Sequence, residues 1–87
     1  MVVAEIDAAK QEAFGGQLIG MLNGASLTLL ASIGHETALF DAMSLMPAST
    51  SADVAIAAGL DERYVREWLG GMVVGRLVQF DPKTHTY

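Results

Sequence analysis

The chain has 87 residues, enough for one small domain, and its composition is unusual for that size. Hydrophobic residues make up 52% of it and charged residues only 17%, whereas charged residues account for about 25% of an ordinary globular protein. Because a small domain has little interior for apolar side chains, the surplus is expected to contact a second subunit or a further domain. The formal net charge of −5 disfavours DNA as a partner.

The absence of cysteine excludes a disulfide framework and a thiolate metal site. Four charged side chains lie within the first twelve residues: Glu5, Asp7, Lys10 and Glu12. A secretory signal peptide does not carry acidic residues in this arrangement, so a cytoplasmic protein is expected.

The segment from Ala13 to Gly34 contains no charged residue and is long enough to cross a bilayer. Gly16, Gly20 and Gly24 follow one another at the four-residue spacing typical of closely packed helix pairs. Five polar residues interrupt the segment: Gln17, Asn23, Ser26, Thr28 and Ser32. No basic cluster flanks either end, so we expect a soluble helix, either buried or packed in a homodimer, and no contact with a membrane.

Three helices are predicted in the N-terminal half, over residues 4–13, 17–32 and 35–46. Gly15 and Gly16 are expected to form a break or a kink between the first helix and the second, because glycine destabilises a helix interior. Gly34 is expected to end the second helix, His35 to open the third, and Pro47 to stop it.

A helix-turn-helix is predicted next. Thr50 is expected to cap a short helix over residues 51–58, Gly59 to provide the left-handed turn, and Asp61 to cap the following helix. That helix carries apolar residues at helical spacing and is expected to end at Gly75; the residues are Val65, Trp68, Leu69, Met72 and Val73.

After Gly75 the apolar pattern alternates, which predicts a β-hairpin around the turn at residues 81–84. The second strand is cut short at Tyr87, so we expect the natural polypeptide to continue. The predicted fold is mainly α, a winged helix-turn-helix with N-terminal extension helices and a C-terminal β-hairpin wing. Residues 1–34 are assigned to the helical extension and residues 35–87 to the winged helix-turn-helix domain.

The exposed face of the second helix of the motif carries as many acidic as basic residues: Glu62, Arg63, Arg66 and Glu67. From residue 51 to 87 there are four basic and five acidic residues. DNA-docking faces normally carry a clustered positive charge, so DNA binding is disfavoured.

The stretches "HETALFDAM" and "AGLDERYVREWL", with "GRLVQF" leading into the wing, resemble the N-terminal winged-helix region of class I S-adenosylmethionine-dependent methyltransferases. The resemblance covers about residues 15–87. It implies a domain that dimerises and roofs the pocket of a small-molecule substrate. It also implies a C-terminal catalytic domain that binds S-adenosylmethionine through a glycine-rich loop after a strand. Gly70 and Gly71 lie within a predicted helix instead.

We therefore expect no catalytic, cofactor-binding or metal-binding residue in this chain, and no methyltransferase activity from it alone. The resemblance implies substrate-lid contacts at Phe14, Gln17, Met21 and Asn23. The glycine spacing predicts a dimer interface at Gly16, Gly20, Gly24 and Leu29, and helix packing within a dimer is the simpler interpretation of the whole segment. The alternative function is that of a stand-alone winged-helix transcriptional regulator or adaptor.

Overall fold

The computed structural model describes residues 7–87 and shows a mainly helical chain. It contains four helices: α1 (Ala8–Glu36), α2 (Leu39–Ser44), α3 (Ser51–Ala58) and α4 (Glu62–Val74). Residues 1–6, the beginning of the predicted N-terminal extension, lie outside the described residues. The compact part of the molecule is built from α2, α3, α4 and the C-terminal end of α1.

Helix α1 is continuous over 29 residues, so the predicted break at Gly15 and Gly16 is wrong. The Asp7 side chain caps its start by accepting hydrogen bonds from the backbone amides of Ala9 and Lys10. Each glycine costs only about 1 kcal/mol relative to alanine in a helix interior. Neither glycine adopts a positive φ angle, and strong helix formers on both sides continue the helix.

The boundary between α1 and α2 also differs from the prediction. Helix α1 continues through Gly34 and ends at Glu36, where the hydroxyl of Thr37 donates to the carbonyl of Ile33 at 2.6 Å. His35 therefore closes one helix and does not open the next. Ala38 has a φ angle of 60°, and this left-handed residue turns the chain into α2. Alanine rarely takes that conformation, so the sequence contains no signal for the turn.

The helix-turn-helix prediction is confirmed in its details. The hydroxyl of Thr50 accepts a hydrogen bond from the amide of Asp53 at 3.2 Å, which caps α3. Gly59 turns the chain with a φ angle of 68°. The carboxylate of Asp61 accepts from the amide of Arg63 at 2.9 Å and caps α4.

The core lies where three of the helices meet, and α4 supplies most of it. Among residues 7–87, seven hydrophobic residues are buried: Leu39, Val54, Ala55, Val65, Trp68, Leu69 and Met72. The rings of Phe40 and Trp68 meet edge to face with centroids 5.2 Å apart. The apolar spacing of α4 predicted the four core residues of that helix, and the fifth residue of the predicted stripe, Val73, is half-buried.

The C-terminal segment forms no β-strand within the described residues, so the two strands of the predicted wing are not confirmed. Asp81 and Thr86 form a single antiparallel bridge. The amides of Leu77 and Val78 donate to the carbonyl of Met72 at 2.9 and 3.2 Å. These amides therefore close the end of α4, which leaves them out of any strand ladder.

The molecule is elongated. Its radius of gyration is 18.4 Å, whereas a compact domain of 87 residues has a radius of about 12 Å. The longest dimension is 61 Å and the shortest 20 Å. Helix α1 accounts for this shape, because its 29 residues span about 43 Å.

Candidate assembly surface on helix α1

The C-terminal end of α1 is fixed to the core through Trp68. The indole N–H of Trp68 donates to the backbone carbonyl of Leu30 at 2.7 Å. One turn further along α1, Gly34 lies against the same ring. A Cβ atom at Gly34 would overlap Trp68 and would lie 2.6 Å from the ring of Phe40. Gly34 therefore allows two aromatic rings to pack directly on the helix backbone.

Glycines of α4 extend this close contact toward the N-terminus of α1. A Cβ atom at Gly71 would lie 2.6 Å from the side chain of Leu30, and one at Gly75 would overlap Leu27. The contacts run in opposite chain directions, so the two helices are antiparallel. Helix α4 ends at Val74, next to this last contact, whereas α1 extends back to Ala8.

The N-terminal part of α1 is exposed throughout. Between residues 8 and 26 only Gly15 is even half-buried. A Cβ atom at Gly16, Gly20 or Gly24 would meet no atom within 4 Å. This part of the helix therefore receives no packing from the other residues between 7 and 87.

One side of α1 carries a row of large apolar residues, which we call the outer stripe. Its members are Phe14, Leu18, Met21, Leu22 and Leu29. Their exposed fractions range from 44% at Leu18 to 67% at Leu29. At about 100° of rotation per residue, these five fall on the side of the helix opposite Leu30 and Gly34. The outer stripe therefore faces away from the core.

The other side of α1 borders a groove of about 500 Å³ between α1 and α4. Leu27 and Leu30 line it from α1, and Gly70 and Val74 line it from α4. Its surface is mostly apolar, and Asn23 is one of the few polar residues that line it. The groove could accept a flat apolar group or a side chain from another molecule.

The predicted lid residues do not form one surface. Phe14, Gln17 and Met21 share a side of α1, because their spacings of three and four residues place them on successive turns. Asn23 follows Phe14 by nine residues, or two and a half turns, and so points in the opposite direction. Asn23 lies at the groove, whereas the other three residues lie on the side of the outer stripe.

The predicted dimer residues are likewise divided between two sides. Gly16, Gly20 and Gly24 lie near one another on the side of the groove, whereas Leu29 lies on the outer stripe, nine residues after Gly20. Leu18 and Leu22 belong to the same stripe and were not predicted as site residues. Their spacing from Leu29 within an uncharged segment was the signal that could have identified them.

The outer face of α4 is occupied by ion pairs between neighbouring turns. The guanidinium of Arg63 lies 3.9 Å from the carboxylate of Glu67, and that of Arg66 lies 3.8 Å from Glu62. Glu62 also accepts a hydrogen bond from the hydroxyl of Ser51 at 2.6 Å. Each arginine of this face thus has a carboxylate beside it, which lowers the positive potential that phosphates would require.

The glycines inside α4 are not arranged as a phosphate-binding loop. Gly70 and Gly71 lie inside α4, whereas a phosphate-binding glycine loop follows a strand and opens a helix. Within residues 7–87 no three histidine or acidic side chains gather into a potential metal site.

By length and composition alone, α1 is also sufficient to cross a bilayer. Only 6% of its most apolar 18-residue window is buried in the chain. Either a protein surface or a lipid bilayer could therefore cover the exposed apolar surface of α1.

Comparison with known proteins supports the helix-turn-helix at the level of a family. No curated protein matches the chain at a significant level. The family model described as the Rv2258c-like winged HTH domain matches residues 25–87, which is well over half of the chain. The matched region contains α2, α3, α4 and the part of α1 that packs on the core. The chain therefore belongs to the family of Rv2258c-like winged helix-turn-helix (HTH) domains.

Proposed function

We propose that this chain is the non-catalytic N-terminal domain of an S-adenosylmethionine-dependent methyltransferase that acts on a small molecule. In this proposal α1 joins two copies and the domain roofs the substrate pocket. The main support for this function is the contrast between the well-packed core of the helix-turn-helix and the exposed apolar surface of α1. Exposed apolar surfaces of this extent are typical of sites of association.

The charges of α4 support an assembly role over DNA recognition. In a DNA-binding HTH, the second helix enters the major groove and its side chains contact bases and phosphates. Here Arg63 and Arg66 have carboxylates four residues away, and residues 51–87 carry a slight negative charge. The proposed role of α4 is to hold α1 through Trp68 and its glycines.

The groove between α1 and α4 supports the lid function. Its walls are apolar, and glycines on both helices leave space above the backbone at Gly24 and Gly70. Asn23 lines the groove, and in this proposal it gives an apolar substrate one polar contact. The glycines of α4 do not fit a phosphate-binding loop, so the proposal assigns S-adenosylmethionine to a further C-terminal domain of the polypeptide.

The coding sequence beyond Tyr87 gives the first test. The proposal predicts that it continues into a strand followed by a glycine-rich loop and a helix, the unit that holds S-adenosylmethionine. A stop codon shortly after Tyr87 would contradict the enzymatic part of the proposal. In the full-length protein, Asn23→Ala should raise the KM for the methyl acceptor and leave the Kd for S-adenosylmethionine unchanged. Gln11→Ala, at an exposed position away from the groove, is the control.

The second candidate is a winged-helix transcriptional regulator or adaptor. The observation that favours it is the helix-turn-helix itself, with Arg63 and Arg66 exposed on its second helix. Fluorescence anisotropy with mixed-sequence duplex DNA at low salt separates the two candidates. Binding in the micromolar range that weakens as salt is added would support the regulator, because such binding follows from phosphate neutralisation. We expect no binding under these conditions.

A further inference from the structure

We infer that the outer stripe of α1 is the contact between two copies of this chain, with their α1 helices antiparallel and Phe14 of each copy facing Leu29 of the other. This inference rests on the dimerisation that the proposed function includes. It adds the face of the helix, the direction of the pair and its register.

The amount of exposed surface matches a second copy. The chain has an accessible surface of 6740 Å², whereas a compact monomer of 9.2 kDa exposes about 4,900 Å². The excess, about 1,800 Å², is more than twice the roughly 800 Å² that each partner buries in a standard protein interface. A second copy that buries about 800 Å² on α1 would therefore remove nearly half of this excess.

Within residues 7–87, the outer stripe is exposed along its whole length and can receive a second helix. The core packs on the opposite side of α1, through Leu27, Leu30 and Gly34. In an antiparallel pair, the two cores therefore lie on the outer sides of the helices and at opposite ends. No residue between Ala13 and Gly34 is charged, so the pairing buries no ionised side chain.

When two copies of α1 are antiparallel, the apolar residues of the outer stripe in one copy face apolar residues in the other. With Phe14 against Leu29 of the second copy, Leu18 faces Ala25 and Met21 faces Leu22. Every member of the outer stripe then meets an apolar residue, and a two-fold axis relates the copies. A shift of one helical turn breaks this match. In one direction Leu29 would face Lys10, and in the other Met21 would face Ser26.

A parallel pair is less favourable. Each residue would face its own copy, so Ala25 would face Ala25 and leave a gap in the contact. The charged groups at the start of the helix, Lys10 and Glu12, would face like charges. The two helix dipoles would also point in the same direction. The antiparallel pair avoids all three costs.

A bilayer could also cover the outer stripe, but the polar residues of α1 disfavour insertion of the helix into lipid. Gln17, Asn23 and Ser26 are exposed at different angles around the helix, so no orientation in lipid removes all of them from hydrocarbon. The last ten residues of α1 are attached to the folded core, which cannot enter lipid.

Cross-linking of single-cysteine variants tests the direction and register, because the natural chain has no cysteine. Gln11 and Ser32 are exposed residues that face each other across the proposed pair and lie outside the outer stripe. A mixture of Gln11→Cys and Ser32→Cys should be linked by a short bismaleimide, whereas neither variant should be linked to itself. In the proposed pair, two copies of position 11 are about 32 Å apart along the helices.

Substitution of the stripe tests the face of the helix. Leu18→Lys should raise the dimer Kd by about 100-fold or more, because two buried leucines are lost per dimer. Ile19→Lys is the matched control, since Ile19 is a neighbouring exposed residue on a different side of α1. It should leave the Kd within about threefold, and both variants should keep the helical circular dichroism of the wild type.

The outcomes separate this inference from the proposed function. A dimer in which each cysteine variant links to itself would show a parallel pair and overturn the inference. A dimer that forms no mixed link, or that Ile19→Lys disrupts more than Leu18→Lys, would also overturn it and would leave dimerisation intact. A monomer at tens of micromolar would overturn both. Flotation of the monomer with phosphatidylcholine–phosphatidylglycerol vesicles would assign the stripe to lipid instead.

Discussion

The two ends of helix α1 have similar residues and different surroundings. At the C-terminal end, Leu27, Leu30 and Gly34 contact the glycines and the tryptophan of α4. At the N-terminal end, Phe14 and Met21 are each 64% exposed. Both ends belong to one uncharged segment of the sequence.

The difference shows that apolar composition predicts a need for burial without predicting the partner. Two glycines of α1 show the same difference at the level of single residues. Gly34 is in close contact with two rings, whereas a Cβ atom at Gly20 would meet nothing. The proposed account is that the C-terminal end is packed by its own chain and the N-terminal end by a second chain. The following four predictions concern α4 and the end of α1 that packs against it, in order from the largest expected effect on stability to the smallest.

Gly34→Ala should destabilise the fold most, by about 3 kcal/mol, because the new methyl group overlaps the rings of Trp68 and Phe40. Gly20→Ala is the matched substitution at the other end of the same helix. It should stabilise the chain by up to about 1 kcal/mol, since alanine favours a helix and no atom obstructs it. Urea denaturation followed by circular dichroism measures both. Equal effects of the two substitutions would contradict the contrast between the ends.

Trp68→Phe should lower the free energy of unfolding by about 2 kcal/mol. It removes the hydrogen bond to the carbonyl of Leu30 and leaves part of the ring's space empty. The control is Tyr64→Phe on the exposed side of α4, with an expected change within about 0.5 kcal/mol. Hydrogen exchange should also accelerate at the C-terminal end of α1 in Trp68→Phe. Unchanged exchange there would argue against the role of Trp68 as the attachment of α1.

Asp61→Ala should cost about 1 kcal/mol, because the amide of Arg63 at the start of α4 loses its acceptor. Asp61→Asn retains an oxygen in the same place and should be close to the wild type in stability. Thermal unfolding of the three proteins gives the comparison. If Asn is as destabilising as Ala, the carboxylate contributes through its charge and not through the cap.

The ion pair between Arg63 and Glu67 should contribute least. Both side chains are mostly exposed and their charged atoms are 3.9 Å apart, so a double-mutant cycle with alanine should give a coupling below about 0.5 kcal/mol. A coupling above about 1 kcal/mol would mean that this face of α4 helps to hold the fold.

The features that local chemistry determines were predictable from the sequence. The limits of α3 and α4 were predicted from Thr50, Gly59 and Asp61, because capping and left-handed turns depend on a few neighbouring residues. The apolar spacing of α4 identified Val65 and Trp68 as core residues.

The features that depend on distant contacts were not predictable in the same way. Gly34 looked like a helix end, and only the position of Trp68 reveals it as a packing site. The turn at Ala38 depends on how α1 and α2 meet. The first strand of the predicted hairpin does not form within the described residues, because the amides of Leu77 and Val78 donate hydrogen bonds to the end of α4.

The candidate site was partly predictable. Phe14, Met21 and Leu29 were identified as site residues, and the structure places all three on the outer stripe. Asn23 and the glycines were grouped with them, although they lie on another side. A predicted break at Gly15 and Gly16 leaves the angle between Phe14 and Met21 undefined, and only a continuous helix fixes it.

Sedimentation equilibrium of the wild-type chain at tens of micromolar tests the central claim most directly, because it measures mass without reference to shape. The account predicts a species of twice the 9.2 kDa monomer mass, which Leu18→Lys converts to the monomer. A wild-type chain that remains at 9.2 kDa across this concentration range would contradict the assignment of α1 as an assembly surface.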